Sequence, residues 1–270
     1  MARIDIELVR RGLARSRRQA VELIAAGRVR VDGAPVLRAS AAVDAGGDVG
    51  VQHDPHAPGY ASRAAYKLAG ALDVWEPQGL VVDGRHCLDA GASTGGFTDV
   101  LLRRGAASVV AMDVGHDQLV PRLRSDPRVE VREGVNVRDL GASDVQPAPG
   151  LVVADLSFIS LKLVVAPLAA VAAPGADVVL LVKPQFEVGR DRLGSGGVVR
   201  TPSLRRDAVL GVLEAAAGVG MVAVDVLRSL LPGPSGNVEY LVRFVAPGVA
   251  EPIDRLPAGR VDSVVLEEGA

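Results

Sequence analysis

Residues 87–97 read CLDAGASTGGF. An apolar run ends in Asp89, a bend of Gly, Ala, Ser and Thr follows, and a helix start comes after Gly95-Gly96. A strand that turns into a helix through such a bend is the ligand-holding corner of an open α/β sheet, where ligands bind beyond the carboxyl ends of the strands. The bend is not a P-loop, because it lacks G-K-[ST] and contains no lysine. It also misses the dinucleotide fingerprint, since Ser93 stands where G-x-G-x-x-G wants its second glycine. What is left is Asp89, Gly91, Ser93, Gly95 and Gly96: a turn that a ligand can approach closely, without a phosphate cradle. The bland alternative is that the glycines only make a tight strand–helix turn.

The flanking strands sharpen the choice. Asp113 ends the next strand, 24 residues after Asp89, where a carboxylate accepts hydrogen bonds from ribose hydroxyls. Asn136 follows the third strand and is placed to meet an adenine edge. Asp89 is tolerable beside a cation and unwelcome beside a pyrophosphate. A ribose, an adenine and a sulfonium with no phosphate describe S-adenosylmethionine, the cofactor this pattern implies.

Further outward the chain alternates strands and helices. Strand candidates are RHCLDA, SVVAMDV, RVEV, LVVADL, DVVLLVK and VEYLVRFV, with helices at about 64–75, 97–104, 117–124, 159–173 and 203–219. This predicts a doubly wound α/β sheet. The last strand follows LPGPSG, too short a turn for a parallel crossover, so an antiparallel hairpin is expected there. Residues 5–26 carry apolar positions at helical spacing, with Gly12 and Gly27 as helix ends, and RVRVDGAPV alternates like a strand turning at Asp32-Gly33. The organisation expected is a small module over 1–57, a linker over 58–62, the sheet domain over 63–246 and a peripheral tail over 247–270.

Composition narrows the class. The chain has 270 residues, 49% apolar and 3% aromatic, so Ala, Val and Leu must build the core. One cysteine, Cys87, excludes an internal disulfide framework and fits a reducing cytoplasm. The start is charged and periodic rather than a signal peptide, and no apolar run reaches the roughly 18–20 residues of a membrane span, so no membrane partner is expected. The net charge is −2, yet residues 1–30 hold eight Arg against three acidic residues. A basic module on an acidic body points to a polyanion; the alternative is a solvated helix face. His53 and His56, flanking Asp54, lack further ligands, so no metal is expected.

Of the 30 Lys and Arg residues only Lys67, Lys162 and Lys183 are lysine. Lys183 ends DVVLLVK and Asp155 ends LVVAD, at the same rim as Asp89 and Asp113. Lys67 lies on the helix entering the domain, and Glu239 begins the final strand. Two lysines and two carboxylates converging beside the cofactor suit attack by a weak nucleophile such as a ribose hydroxyl. A lysine can take its proton or hold the oxygen in line with the methyl group. Lys162 has no acidic partner in view and reads as a surface residue.

CLDAGASTGGF, LVVADLSFIS, LLVKPQFEVG and LPGPSGNVEY together resemble the TlyA (hemolysin A) family of ribosomal RNA 2′-O-methyltransferases, relatives of the FtsJ-type RNA methyltransferases. The opening, RIDIELVRRGLARSRRQAVELIAAGRVRVDG, is similar to an S4 RNA-binding domain, and the likeness covers about residues 3–245. The resemblance implies a Rossmann-like class I methyltransferase: a mostly parallel seven-stranded sheet with an antiparallel last strand, preceded by a small α+β S4 domain. It implies a catalytic tetrad at Lys67, Asp155, Lys183 and Glu239, and methylation of cytidine ribose in ribosomal RNA within subunits or ribosomes by a monomer. Arg10, Arg11, Arg15, Arg17 and Arg18 are expected to hold phosphates, with Arg63 and Arg190 gripping RNA near the active site. A mycobacterial member has Arg-Ala-Trp-Val where this chain has Pro58-Gly59-Tyr60-Ala61.

Three other readings compete. A base N-methyltransferase wants an Asn/Asp-Pro-Pro-aromatic turn, whereas Asp155-Leu156-Ser157-Phe158 has no proline and leaves the lysines idle. A cytolysin wants membrane-active segments. A ribosome-assembly factor with a vestigial methyltransferase fold would not need the tetrad.

Overall fold

The computed structural model describes residues 2–14, 17–25, 27–44, 46–51, 59–248 and 253–266. The chain divides into two compact units, Met1–Gly59 and Tyr60–Ala270.

In the first unit, helices Ile4–Arg10 and Arg17–Ala25 pack through Ile4, Leu8, Ala20 and Ile24 onto Val29, Val43 and Val49. Their apolar residues recur at three- and four-residue spacing, which gathers them on one face. Gly12 and Gly27 follow the helices with φ of 71° and 67°. Strands Val29–Val31 and Ala34–Pro35 form a hairpin across Asp32-Gly33, both at positive φ, and Val49–Val51 completes a three-stranded sheet. That turn geometry matches the twist of the strands it joins. Ala2–Arg3 pairs with Ala42–Val43 in a second small sheet.

The second unit is a seven-stranded sheet between helices. In chain order its elements are α1 (Ala65–Trp75), β1 (His86–Ala90), α2 (Gly96–Arg103), β2 (Ser108–Asp113), α3 (Pro121–Arg124), β3 (Val129–Glu133), β4 (Leu151–Ala154), α4 (Val165–Val171), β5 (Asp177–Val182), α5 (Pro184–Glu187), α6 (Pro202–Gly218), β6 (Val222–Arg228), β7 (Tyr240–Val245) and α7 (Arg260–Leu266). The strand order is β6-β7-β5-β4-β1-β2-β3, parallel except for β7, which runs antiparallel to both neighbours. Central strands LVVA and DVVLLV are buried along their whole length, as a sheet covered on both faces requires. One apolar cluster, including Leu88, Val152, Leu180 and Phe244, fills one face; a second, including Trp75, Phe97, Val153 and Leu181, fills the other.

Four expectations need correcting. The strand β6 is not among the strands expected from the sequence, although the hairpin at LPGPSG demands a partner for β7. Its residues are mostly half-buried and a bulge between Ala223 and Asp225 breaks its alternation, so periodicity alone does not reveal it. The expected helix over 117–124 is only the short α3, which begins at Pro121, and that over 159–173 is a 3₁₀ turn at Leu161–Leu163 followed by α4. The tail is not peripheral: Val261 and Val265 are buried in the main core, Leu256 N–H donates to the Ala223 carbonyl, and Arg260 pairs with Asp225. The tail covers β6, the edge strand whose open side otherwise faces solvent.

Candidate active site

Strand polarity assembles the site. β1, β2, β4 and β5 are parallel, so Asp89, Asp113, Asp155 and Lys183 fall on one rim. β7 runs the other way, and its register pairs Val182 with Tyr240. The residue after β5 and the one before β7, Lys183 and Glu239, therefore meet at that same rim. α1 delivers Lys67, whose Nζ lies 2.5 Å from Glu239 Oε2; the two side chains are 6% and 0% exposed. Lys183 Nζ lies 2.7 Å from Asp155 Oδ1 and donates to Ser157 Oγ at 2.8 Å. The four residues thus form two ion pairs. Lys67, Asp155 and Lys183 line one cavity of about 210 Å³, and Glu239 lines the next. Glu239 Oε1 is buried without a hydrogen-bond partner, and a Cβ added at Gly233 would stand 2.4 Å from it.

Two larger cavities adjoin the lysines. The first, about 470 Å³, is lined by Gly91, Ser93, Asp113, Gln118 and Asn136 and reaches Asp155. None of the described residues lining it is Lys or Arg, a donor set suited to a cationic, phosphate-free ligand. A Cβ at Gly91, whose φ is 85°, would come within 2.8 Å of the Asp155 carbonyl oxygen, so only glycine brings the turn this close to β4. Asp113 accepts from Ser93 N–H at 2.8 Å and Gly115 N–H at 2.7 Å, fixing the loop around itself. Asn136 Oδ1 accepts from Arg138 N–H, capping a 3₁₀ turn. The space beside Gly95 is filled by Leu119 and Leu123, and that beside Gly96 by Ser62 and Ala65; Gly96 lines the lysine cavity, and neither glycine lines this one. Asp89 lies beneath the turn, fully buried. Its Oδ2 accepts from Thr98 N–H and Thr98 Oγ1 at 2.8 and 2.6 Å, while Oδ1 has no partner. Burial pushes its carboxyl up to about 7, against the pull of Thr98 and helped by Asp155 and Asp113.

The second cavity, about 530 Å³, lies on the other side of Lys183 and is lined by Phe158, Phe186, Gln185, Ser235, Asn237 and Glu239. Ser157 borders all three cavities. Phe158 is 91% exposed with φ at 65°, and its ring centre lies 5.4 Å from that of Phe186. Sequence reasoning missed Ser157, Phe186 and Asn237, although DLSFIS, KPQFEVG and GPSGN carry them. Asn237 accepts from Val199 N–H and donates to the Gly197 carbonyl, which ties the loop after α5 to the start of β7. Arg63 donates to the Pro232 carbonyl at 2.9 Å and lines the lysine cavity. Lys162 is exposed.

In the first unit, Arg10 pairs with Glu7 at 2.5 Å and Arg17 with Asp5 at 2.9 Å, both arginine side chains more than half exposed. Arg11 turns inward: it pairs with Glu7 at 2.6 Å and donates to the Gly47 carbonyl at 2.7 Å. Hydrogen bonds from Arg3 hold Asp5 down at about 2, and those from Arg10 and Arg11 do the same for Glu7. Arg15, His53 and His56 lie outside the described residues, as do the side chains of Arg18 and Arg190. The described residues contain no cluster of three metal-ligating side chains and no helix long and apolar enough to cross a membrane.

Known proteins share these features. The FtsJ-like methyltransferase pattern matches residues 60–245 and the S4 domain pattern residues 2–49. The 16S/23S rRNA (cytidine-2′-O)-methyltransferase TlyA of Mycobacterium tuberculosis is 54% identical over 241 residues, 89% of this chain and 88% of that protein. A solved structure named as a hemolysin, from Streptococcus thermophilus, superposes with a TM-score of 0.77 at 35% identity, covering 98% of this chain and 94% of that one. An S-adenosylmethionine-dependent methyltransferase structure from Listeria monocytogenes shares the fold, with a TM-score of 0.50 at 14% identity over 67% of this chain and all of that one. With its sheet order, its S4 unit and this identity, the chain belongs to the TlyA family of FtsJ-like methyltransferases.

Proposed function

We propose that the protein transfers a methyl group from S-adenosylmethionine to the ribose 2′-hydroxyl of a cytidine in ribosomal RNA, within ribosomal particles in the cytoplasm. The observation that carries this reading is the cavity where Lys67, Asp155 and Lys183 meet, between a cofactor-sized cavity and a second one lined by aromatic rings.

Gly91, Ser93, Asp113 and Asn136 hold the cofactor in this reading, with Asp113 toward the ribose and Asn136 toward the adenine. When bound, the cofactor supplies a methyl group activated by a sulfonium. The chain's own residues do the rest. Each lysine ammonium has three donors. Lys183 donates one of its three to Ser157 Oγ and is paired by charge with Asp155 Oδ1 at 2.7 Å, which leaves donor capacity for the substrate oxygen. Lys67, gripped by Glu239, offers its free donors to the same cavity. Holding the 2′-oxygen in line supplies most of the acceleration, since alignment of bound reactants is worth several kcal/mol, up to about 7–11. The cavity with Phe158 and Phe186 accepts the target base swung out of its stack, as single-stranded RNA recognition commonly requires. Arg10 and Arg17 hold RNA phosphates, while Arg11 braces the S4 unit. A membrane-lytic role finds no helix among the described residues able to span a bilayer.

The test uses labelled S-adenosylmethionine and unmodified ribosomal subunits, with the product mapped to the nucleotide. Label on a cytidine ribose is expected. Label on a base, or undiminished turnover in Lys183→Ala, overturns the reading.

A further inference from the structure

Two loops beside the aromatic cavity are gripped together at two points. The first loop, residues 155–161, follows β4; the second, residues 183–189, contains α5. At one point Lys183 Nζ contacts Asp155 Oδ1 at 2.7 Å and Ser157 Oγ at 2.8 Å. At the other, one helical turn later, Glu187 Oε2 accepts from Ser160 Oγ at 2.5 Å and Oε1 from Leu161 N–H at 2.7 Å. Between the grips sits Phe158, 91% exposed and in a left-handed conformation at φ 65°. A bulky residue keeps such a backbone only where its surroundings over-determine it. Burial does not hold this ring in place; what surrounds it is the Phe186 ring of the second loop, 5.4 Å away, and the grips on either side.

Glu187 itself is 7% exposed and borders none of the three cavities that meet at Ser157. Burial pushes its carboxyl up, and the two donors from the neighbouring loop, together with the nearby charge of Lys162, pull it back only in part. Neither contact is with a cation: both oxygens serve the loop that carries Ser157 and Phe158. A buried acid is an expensive way to close an ordinary turn, and an apolar contact would do so at lower cost.

We propose that Glu187 is a positioning residue for methyl transfer: by holding Ser160 and Leu161 it fixes the Ser157–Phe158 turn, and through Ser157 the Nζ of Lys183, against the substrate ribose. This rests on the role given to Lys183 above. Glutamine should replace Glu187 with little loss. Its oxygen accepts from Leu161 N–H, and its amide donates to Ser160 Oγ once that hydroxyl turns to accept. Alanine keeps neither bond.

The test compares full-length wild type, Glu187→Ala, Glu187→Gln and Ser160→Ala by turnover on unmodified ribosomal subunits, calorimetric affinity for S-adenosylmethionine, and hydrogen exchange at the Leu161 amide. In Glu187→Ala, kcat falls by about tenfold or more, equivalent to roughly 1.4 kcal/mol of lost alignment. Its cofactor affinity stays within about twofold, and the Leu161 amide exchanges faster. Glu187→Gln restores both the protection and most of the turnover. Ser160→Ala falls between, with the amide still protected. A Glu187→Ala enzyme as fast as wild type, or a Glu187→Gln enzyme as slow as Glu187→Ala, overturns the proposal. Should Glu187→Ala not fold, Ser160→Ala with wild-type turnover overturns it. Failure of wild type itself to label ribose would instead strike the function proposed above, and the Leu161 exchange would still report whether Glu187 holds the loop.

Discussion

Replacing Lys67 with Met leaves Glu239 as a fully buried carboxylate. Its Oε2 loses the ammonium at 2.5 Å, and its Oε1 has no partner to begin with. Breaking one side of a buried ion pair costs about 3–5 kcal/mol, because the surviving charge is left uncompensated. In a unit of this size each kcal/mol moves the melting temperature by roughly 2–4 °C, so Lys67→Met should melt about 6–20 °C below wild type. Removing both charges should behave differently. Lys67→Met with Glu239→Leu replaces the pair by apolar side chains, a change that is often neutral or stabilising by about 1–4 kcal/mol. The double variant should therefore recover the lost stability and still fail to methylate RNA. Calorimetry on the full chain reads the first half, and methyl transfer to ribosomal subunits the second. A single variant melting within a few degrees of wild type would refute the buried pair. A double variant that still methylates would refute the role given to these residues.

Other consequences are as direct. Asp113→Ala frees Ser93 and Gly115 N–H and removes the carboxylate facing the cofactor's ribose, so calorimetric affinity for S-adenosylmethionine should fall by about tenfold or more. Gly91→Ala drives a Cβ to within 2.8 Å of the Asp155 carbonyl at a φ of 85°, and should abolish cofactor binding while the S4 unit stays folded by NMR. Asp5 and Glu7 sit at about 2 in the folded S4 unit, below the 3.8 and 4.5 of free carboxyls. Their support is complete above pH 4.5 and disappears as pH falls toward 2, so an acid titration followed by NMR should show that unit's signals losing dispersion in this window. Asp89 works the other way. Its folded value of about 7 exceeds 3.8, so the native state holds a proton that the unfolded chain releases, and stability declines as pH rises from 4 to 7. Asp89→Asn keeps an oxygen for Thr98 and should flatten the fall in melting temperature between pH 5 and pH 8.

Much of this was legible because a parallel sheet writes itself plainly. LVVA and DVVLLV are buried on both faces and read as continuous apolar runs, and the residues that end them, Asp155 and Lys183, inherit their place from strand polarity. The edge strand Val222–Arg228 was not legible. It is half-buried and bulged, and the segment that covers it, around Leu256 and Val261, lies beyond any motif. The arginines of the first unit show another limit. Their number announces a basic surface, but whether Arg11 faces RNA or the Gly47 carbonyl depends on a contact 36 residues away. Glu187, Ser157 and Asn237 were hidden for a similar reason. Each acts by a hydrogen bond across two loops, and no spacing within one loop reveals it.

The pairing of Lys67 with Glu239 spans 172 positions, and β7, which Glu239 precedes, lies between β5 and the edge strand β6. During synthesis the sheet therefore stays open until the segment through Val245 has emerged. Until then a slot gapes beside β5 and a lysine destined for burial has no counter-charge. A chain halted before Glu239 would be a sheet lacking an inner strand as well as an incomplete site. The cell would meet it as a sticky fragment for quality control to remove rather than as a weak form of the enzyme.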